Sequence, residues 1–477
     1  MATKIAIMGA GPGGYVAAVR AAQQGAEVTI IERENVGGTC LNWGCIPSKI
    51  MITTAGILEN FHRAGEFGIE AEGTSRADMQ RLMARKNSIL QTQRKSILGL
   101  LKHHKITYLE GDAYIKGPGR IAVRKSDEPG AEVTWDKLII ATGTQPLNIP
   151  AFPFDGESII SSNDVLCLEE VPESIMIVGG GVIGCEFACI LSALGSKVTI
   201  VEAMPRLLPL PSVDEDCSKT LQREMKKKKI SFVVNKTVDF FEKADGKLRV
   251  TMGPSPFLEN PSEKDKKPVT AEVEKMLVCI GRKSNSDTIG LGNIGVETDD
   301  RGWILADDRM QTNVENVYAI GDILGPDKVM LAHVASTEGE VAVENAMGKE
   351  KRMSYDVIPG GIFTSPEVGN VGLTEAQARE QGLNVRADSV LFRILGKAQV
   401  IGELGGQAKI VSDVDTGKVL GVHIIGPHAT DLIAEGVLAV QKGVTVTELA
   451  ETIHAHPTLA EIMLETSFKA IDQTLHG

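Results

Sequence analysis

Cys40 and Cys45 lie in the stretch GGTCLNWGCIPSK, residues 37–49, of a chain with only seven cysteines in 477 residues. Three chemistries suit so close a pair: metal binding, a structural disulfide, or reversible electron transfer. A metal needs further ligands at suitable spacing. Neither a second C-x-x-C nor an H-x-x-x-H lies nearby, so no metal site is expected. A disulfide carries a restriction. Residues five apart in a regular helix have Cα atoms roughly 8–9 Å apart, beyond the limit of about 7 Å for bridging. One cysteine must then sit in a distorted first turn, and Pro47 suits a helix that begins about here. A strained pair near a helix N-terminus has the lowered thiol pKa and labile redox poise of a reactive dithiol.

A dithiol that passes electrons onward needs a base and a two-electron relay. The candidate base stands in THAHPTLAEIMLE, where His456 precedes Pro457, a good first helical residue, and Glu461 follows about one turn on. A carboxylate there would hold the far imidazole nitrogen and raise its basicity. A histidine before a helix also serves as a cap or a surface partner, so this motif has two readings. Lys49, four residues after Cys45, reads equally as a solvated helix lysine.

The elements that would position these groups are two copies of one plan. KIAIMGAGPGG is a short apolar strand entering Gly9, Gly11 and Gly14 in the pattern G-x-G-x-x-G, then a helical segment, then the strand AEVTIIE ending at Glu32. The same strand, helix and strand recur around Gly179, Gly181 and Gly184, with Glu202 closing the second strand. Both glycines and acid are displaced by 170 positions, from Gly9 to Gly179 and from Glu32 to Glu202. Glycines allow a tight turn and let backbone N–H groups approach a pyrophosphate, while the terminal carboxylate accepts from a ribose hydroxyl. Apolar strands ending at glycine follow each copy, at 135–146 and 273–285, and a third, ENVYAIGD, ends at Asp322. Ligands in open α/β sheets bind beyond strand carboxyl ends. Asp322 is therefore a ligand candidate, and as plausibly a helix cap.

The expected architecture is α/β: two Rossmann-like nucleotide-binding domains plus an α+β C-terminal domain. The first domain covers about 1–149 and returns through 280–350, the second occupies 150–279, and the last runs from 351 to 477. The polar stretch 252–270 reads as a long surface hairpin loop, and helices are expected around 430–443 and 457–474. A net charge of −12 with no long basic patch argues against nucleic acid and anionic membranes. The one basic run, Lys226–Lys229, reads as a solvated helix end. No apolar run reaches membrane-spanning length and the N-terminus lacks a signal-peptide pattern, so a cytoplasmic protein is expected.

Together these segments resemble the flavin disulfide reductases, most closely the dihydrolipoamide dehydrogenase branch, over essentially the whole chain. The blocks CLNWGCIPSK and HAHPTLAE carry the resemblance most specifically. It implies FAD on the first unit, NAD on the second, and a homodimer through the C-terminal domain in which one subunit's His456 completes the other's site. By the same resemblance Cys45 would face the flavin as the charge-transfer thiolate and Cys40 would meet the substrate. His456, oriented by Glu461, would move the thiol proton, and Lys49 would pair with Glu186 beside the flavin. FAD contacts would come from Gly9, Gly11, Gly14, Glu32, Arg33, Gly38, Thr39, Lys49, Ala113, Thr142, Gly143, Asp322 and Ala332. NAD contacts would come from Gly179, Gly181, Val182, Ile183, Gly184, Glu202, Val238 and Gly281.

The implied activity is oxidation of dihydrolipoyl groups with NAD⁺. The implied partners are a lipoyl-bearing acyltransferase of a 2-oxo-acid dehydrogenase complex or the lipoyl carrier protein of glycine cleavage. The rival is an NADPH-dependent glutathione- or mercuric-reductase-like enzyme. Glu202 opposes it, because a carboxylate repels a 2′-phosphate, and no cysteine follows Cys279 to make a mercuric C-terminal pair. Two departures stand out: Ser284 in GRKSN where the family has proline, and Trp43 between the cysteines where a smaller apolar residue is common.

Overall fold

The computed structural model describes residues 2–70, 73, 75–125 and 128–476. Short apolar strands such as KIAIM and KLII are buried on both faces, which is the environment of a parallel sheet covered by helices. Five of them align in the order Val317–Ala319, Lys137–Ile140, Lys4–Met8, Glu27–Glu32 and Thr107–Glu110, all parallel. The helix Pro12–Gln23 buries only glycine and alanine (Gly13, Gly14, Ala17, Ala18, Ala21), so it lies close against the sheet and against the returning helix Ala332–Ala346.

A second parallel sheet repeats this in the order Ser231–Val233, Lys197–Val201, Ser174–Val178, Lys275–Val278 and Ile159–Ile160. The 170-residue displacement holds for whole elements: strand Lys4–Met8 becomes Ser174–Val178, and helix Pro12–Gln23 becomes Val182–Ala193. Each copy also carries a three-stranded antiparallel sheet, 112–134 in the first and 236–273 in the second. The segment expected as one loop over 252–270 is shorter than that. Its strand runs on to Pro254, a turn of helix at Glu263–Lys266 is closed by a capping box between Ser262 and Asp265, and the next strand starts at Val269.

The C-terminal part is a five-stranded antiparallel sheet ordered Gly360–Ile362, Glu367–Gly372, Val419–Gly426, Gln407–Asp413 and Val385–Leu391. Helices Ala429–Lys442 and Glu461–Ala470 pack on it, with a short helix Val446–Glu451 that the sequence reading did not separate. The last helix starts at Glu461 and not at Pro457, which stays in the preceding loop after a cis peptide bond. Among the described residues no helix is long and apolar enough to cross a membrane.

Candidate active site

The cysteines occupy two helices, not one. Gly38–Trp43 ends at Gly44, whose backbone angles (φ −153°, ψ −108°) interrupt the helical path, and Cys45 opens the helix Cys45–His62. This break resolves the spacing restriction, because the two sulfurs come into hydrogen-bonding contact across it. Both stand as free thiols. The contact divides their acidities. Cys40 is pushed up by the hydrogen bond with Cys45, then by burial, whereas Cys45 is drawn down to about 7 by that same bond, with the Lys49 ammonium helping against burial. Cys45 is thus the more acidic sulfur of the pair and Cys40 the less acidic.

Lys49 lies one turn after Cys45 and is not a solvated lysine. Its Nζ donates to Glu186 Oε2 at 2.9 Å and Oε1 at 3.1 Å, and it lies 4.2 Å from the centroid of the Phe363 ring. Glu186 is buried in the helix Val182–Ala193, and the backbone N–H of Phe363 donates to its Oε1 at 2.9 Å. Lys228, expected in a solvated run, instead donates to Glu59 at 2.7 Å and to Ser365 Oγ at 2.6 Å, tying a helix end to the redox helix.

The two glycine loops use the same contacts. A Cβ on Gly14 would lie 2.0 Å from Gly9 O, and one on Gly184 would lie 1.9 Å from Gly179 O, so only glycine fits the close strand-to-helix turn. Gly11 and Gly181 cap their helices, and Val182 and Ile183 form the half-buried first turn of the second. Glu32 accepts the N–H groups of Ala10 (2.7 Å) and Glu34 (2.9 Å); Glu202 accepts those of Gly180 (2.5 Å) and Met204 (2.7 Å). Each acid therefore orders its own glycine loop. Burial pushes the Glu32 carboxyl up, against the two N–H bonds.

Around the first loop, Gly38 presses its backbone on Gly11, where a Cβ would meet Gly11 Cα at 2.6 Å, while Thr39 and Ala332 are half-buried and Arg33 is exposed. Ala113 stands half-buried in the strand Asp112–Gly117. Asp322 is not a helix cap in the usual sense: its Oδ2 accepts from Thr144 Oγ1 at 3.3 Å inside a 3₁₀ turn, and burial raises its carboxyl despite Arg282 nearby. Gly143 (φ +63°) accepts the N–H of Asn285, and Asn285 Nδ2 donates to Thr142 O at 2.9 Å. Gly281 (φ +146°) opens the short strand Arg282–Ser284 that pairs with Thr144–Pro146. Val238 is different. Its side chain is buried in the apolar core of the antiparallel sheet with Phe152 and Met252, which leaves only its backbone for a ligand.

These residues fit the dinucleotides that the glycine patterns imply. Thr142 Oγ1 is buried without a hydrogen-bond partner beside the first loop, and a Cβ at Gly181 would meet no protein atom within 4 Å at the head of the second helix. The Ser284 hydroxyl is likewise buried and unpartnered, so the replacement of proline there leaves an unmet polar group.

His456 and Glu461 form the expected pair, with Nδ1 to Oε1 at 2.8 Å, and Thr458 N–H donates to Oε2 at 2.8 Å. Burial raises the Glu461 carboxyl, but these bonds outweigh it and hold it below the usual range. The His456 side chain is 75% exposed. Among the described residues no hydrogen bond or ion pair joins this pair to the cysteine segment. On this chain the cysteine segment and the His456–Glu461 pair are two separate groups.

Two positioning residues escaped the sequence reading. Asn42 is buried, donates to Val36 O (3.1 Å) and Gly38 O (2.9 Å), and accepts from Arg94 Nε (2.6 Å). His454 is held at both ring nitrogens, by Thr452 O and Glu435 Oε1, each at 2.9 Å, and anchors the loop that carries His456. A lone asparagine or histidine signals neither role, because the partners are distant in sequence.

The chain matches the pyridine nucleotide-disulphide oxidoreductase family over residues 3–339 and that family's dimerisation domain over 358–467. The dihydrolipoyl dehydrogenase of Chlamydia trachomatis is 40% identical, with 98% of this chain and 97% of that protein aligned. The dihydrolipoyl dehydrogenase of Bacillus subtilis is also 40% identical, over the full length of both. The solved structure of LpdA from Mycobacterium tuberculosis superposes with a TM-score of 0.88 at 27% identity, covering 98% of this chain and 99% of that one.

Proposed function

The chain belongs to the pyridine nucleotide-disulphide oxidoreductases, within them to the dihydrolipoyl dehydrogenases, and from that premise we propose that it oxidises protein-bound dihydrolipoyl groups with NAD⁺. The observation that carries the reading is the thiol pair brought together across Gly44, with Lys49 one turn beyond Cys45 and held by Glu186. FAD and NAD are the cofactors. FAD, when bound, would supply the two-electron relay between the dithiol and NAD⁺.

The chain's own residues do the rest. In the oxidised pair Cys40 is the sulfur attacked by the substrate thiolate, and Cys45 leaves. His456, its ring oriented by Glu461, takes the proton of the first substrate thiol and passes it to solvent, then takes that of the second and returns it to Cys40 as that sulfur leaves. The second substrate sulfur then displaces Cys40, closing the lipoyl disulfide and leaving Cys40 and Cys45 reduced. Lys49, fixed by Glu186, holds positive charge one turn from Cys45. The balance is dihydrolipoyl plus NAD⁺ giving lipoyl, NADH and one proton.

In this reading residues 1–149 and 280–350 bind FAD, 150–279 bind NAD, and 351–477 form the interface of a homodimer. Gly9, Gly11, Gly14, Glu32, Gly38, Thr142 and Asp322 hold FAD. Gly179, Gly181, Gly184 and Glu202 hold NAD, and the Glu202 carboxylate disfavours a 2′-phosphate. The separation of His456 from the cysteines within one chain supports a site shared between subunits. The lipoyl donor is the acyltransferase of a 2-oxo-acid dehydrogenase complex or the carrier protein of glycine cleavage, and the enzyme works in the cytoplasm.

The test compares NAD⁺ and NADP⁺ reduction by the purified flavoprotein, with dihydrolipoamide and with reduced glutathione. Turnover with NAD⁺ and dihydrolipoamide is expected. Preference for NADP⁺, or activity with glutathione alone, overturns the reading.

A further inference from the structure

Trp43 stands between the cysteines where a smaller apolar residue is common, and its indole does not stand free. Nε1 donates to Glu34 Oε2 at 3.1 Å, nine residues upstream. Glu34 is itself fixed, because its backbone N–H donates to Glu32 Oε1, the carboxylate whose other oxygen orders the glycine loop at Ala10. Between these ends the chain is pinned to that same loop, with Gly37 N–H on Ala10 O at 2.8 Å and Gly38 against Gly11.

The helix Gly38–Trp43 has six residues and stops at Gly44, so its own backbone bonds hold it weakly. Its first turn is fixed by the nucleotide loop. Its last residue before the break is fixed by Trp43 on Glu34. A smaller side chain at position 43 has no N–H to reach that carboxylate.

We propose that Glu34 and Trp43 form a clasp that closes the segment between the FAD-binding acid and the cysteine pair, making retention of the flavin and the register of Cys40 on Cys45 depend on each other. This rests on FAD occupying the first glycine loop. Trp43 is here a positioning residue. Its indole N–H is directed to Glu34, on the stretch that follows the FAD-binding acid.

The experiment uses W43F, E34A, E34Q and the W43F/E34A double variant of the full chain. Release of FAD from the holoenzyme into dilute buffer, followed by flavin fluorescence, should speed up about threefold to tenfold in W43F and in E34A, the range of one ordinary net hydrogen bond. The double variant should match the singles, not their product. E34Q keeps an acceptor oxygen and should stay near wild type. A second readout needs no flavin: alkylation of Cys45 by iodoacetamide in stripped protein at neutral pH, read by peptide mass. It should slow in W43F and E34A, because a displaced Cys40 no longer holds Cys45 acidic. Unchanged FAD release, additive effects, or unchanged alkylation would each overturn the clasp. A wild-type chain that binds no flavin sinks the functional reading instead, while the alkylation arm still decides the clasp.

Discussion

The ammonium of Lys49 and the carboxylate of Glu186, 137 residues apart, meet at 2.9 Å and join the helix that opens with Cys45 to the helix of the second glycine loop. Their charges act on Cys45 in opposite directions: Lys49 lowers its pKa and Glu186 raises it. Lys49→Met should therefore move the midpoint of Cys45 alkylation against pH upward, and Glu186→Gln downward, each by about 1 unit. Shifts of the same sign in both variants would show that the pair acts by packing and not by charge.

Cys40 is the larger influence on the same thiol. With the hydrogen bond removed in Cys40→Ala, the midpoint of Cys45 should rise from about 7 toward the ordinary thiol value of about 8.5. The thiolate fraction at neutral pH then falls, and alkylation slows below pH 8 while converging with wild type above pH 9. Absorbance of the thiolate in the far ultraviolet gives an independent titration.

In the proposed reading each site takes one half from each subunit, which makes a complementation prediction. Cys45→Ser and His456→Gln should each lower dihydrolipoamide oxidation by about a hundredfold or more. Refolding an equal mixture should restore activity to about a quarter of wild type, since half of random twofold dimers pair unlike chains and each such dimer has one intact site. No recovery would place both half-sites in the same subunit.

Glu202 orders its loop through Gly180 and Met204 and, in the proposed reading, also binds the second nucleotide. Glu202→Ala should raise KM for NAD⁺ by roughly tenfold, with a smaller change in kcat. The discrimination against NADP⁺ should narrow. Steady-state rates with both nucleotides check this, and an unchanged ratio would remove the carboxylate from the specificity argument.

Lys409, on the strand Gln407–Asp413, is almost fully buried and contacts Asp214 at 3.0 Å and Asp216 at 2.6 Å at the start of a helix in the 150–279 segment. Lys409→Met leaves Asp214 buried without its cation. A loss of about 2–3 kcal/mol is expected, less than for a sealed pair because Asp216 remains partly solvated. Thermal unfolding should start several degrees lower, and Lys409→Arg should recover part of the loss.

How much of this the sequence reveals depends on how local each feature is. The doubled strand–glycine–helix–acid unit is legible because all its parts fall within a few dozen residues, and the 170-residue displacement survives down to the N–H groups that Glu32 and Glu202 accept. The cysteine spacing likewise announces a distorted helix, although only the structure shows that Gly44 makes two helices of it. The Glu461 helix begins four residues later than Pro457 suggests, because Thr458 bonds locally to Glu461 and Ala455 and the chain between stays a loop. Lys228 and Asn42 were misread or missed for a different reason. Their partners, Glu59 and Ser365 for one and Arg94 for the other, are brought to them only by the packing of distant elements. Residue types spaced along a chain show what could react, and tertiary contacts show what is held still.

Phe363 lends the buried carboxylate of Glu186 a backbone N–H and lends the ammonium of Lys49 its ring. Synthesis runs from the N-terminus, so this arrangement has a schedule. A growing polypeptide exposes its thiols first, gains the carboxylate about 140 residues later, and receives the aromatic only after some 180 more. Until the final domain leaves the ribosome, the lysine beside the thiols lacks its last support. A chain ending before Phe363 would keep the thiols and the Lys49–Glu186 pair but lack the backbone N–H and the ring that support them.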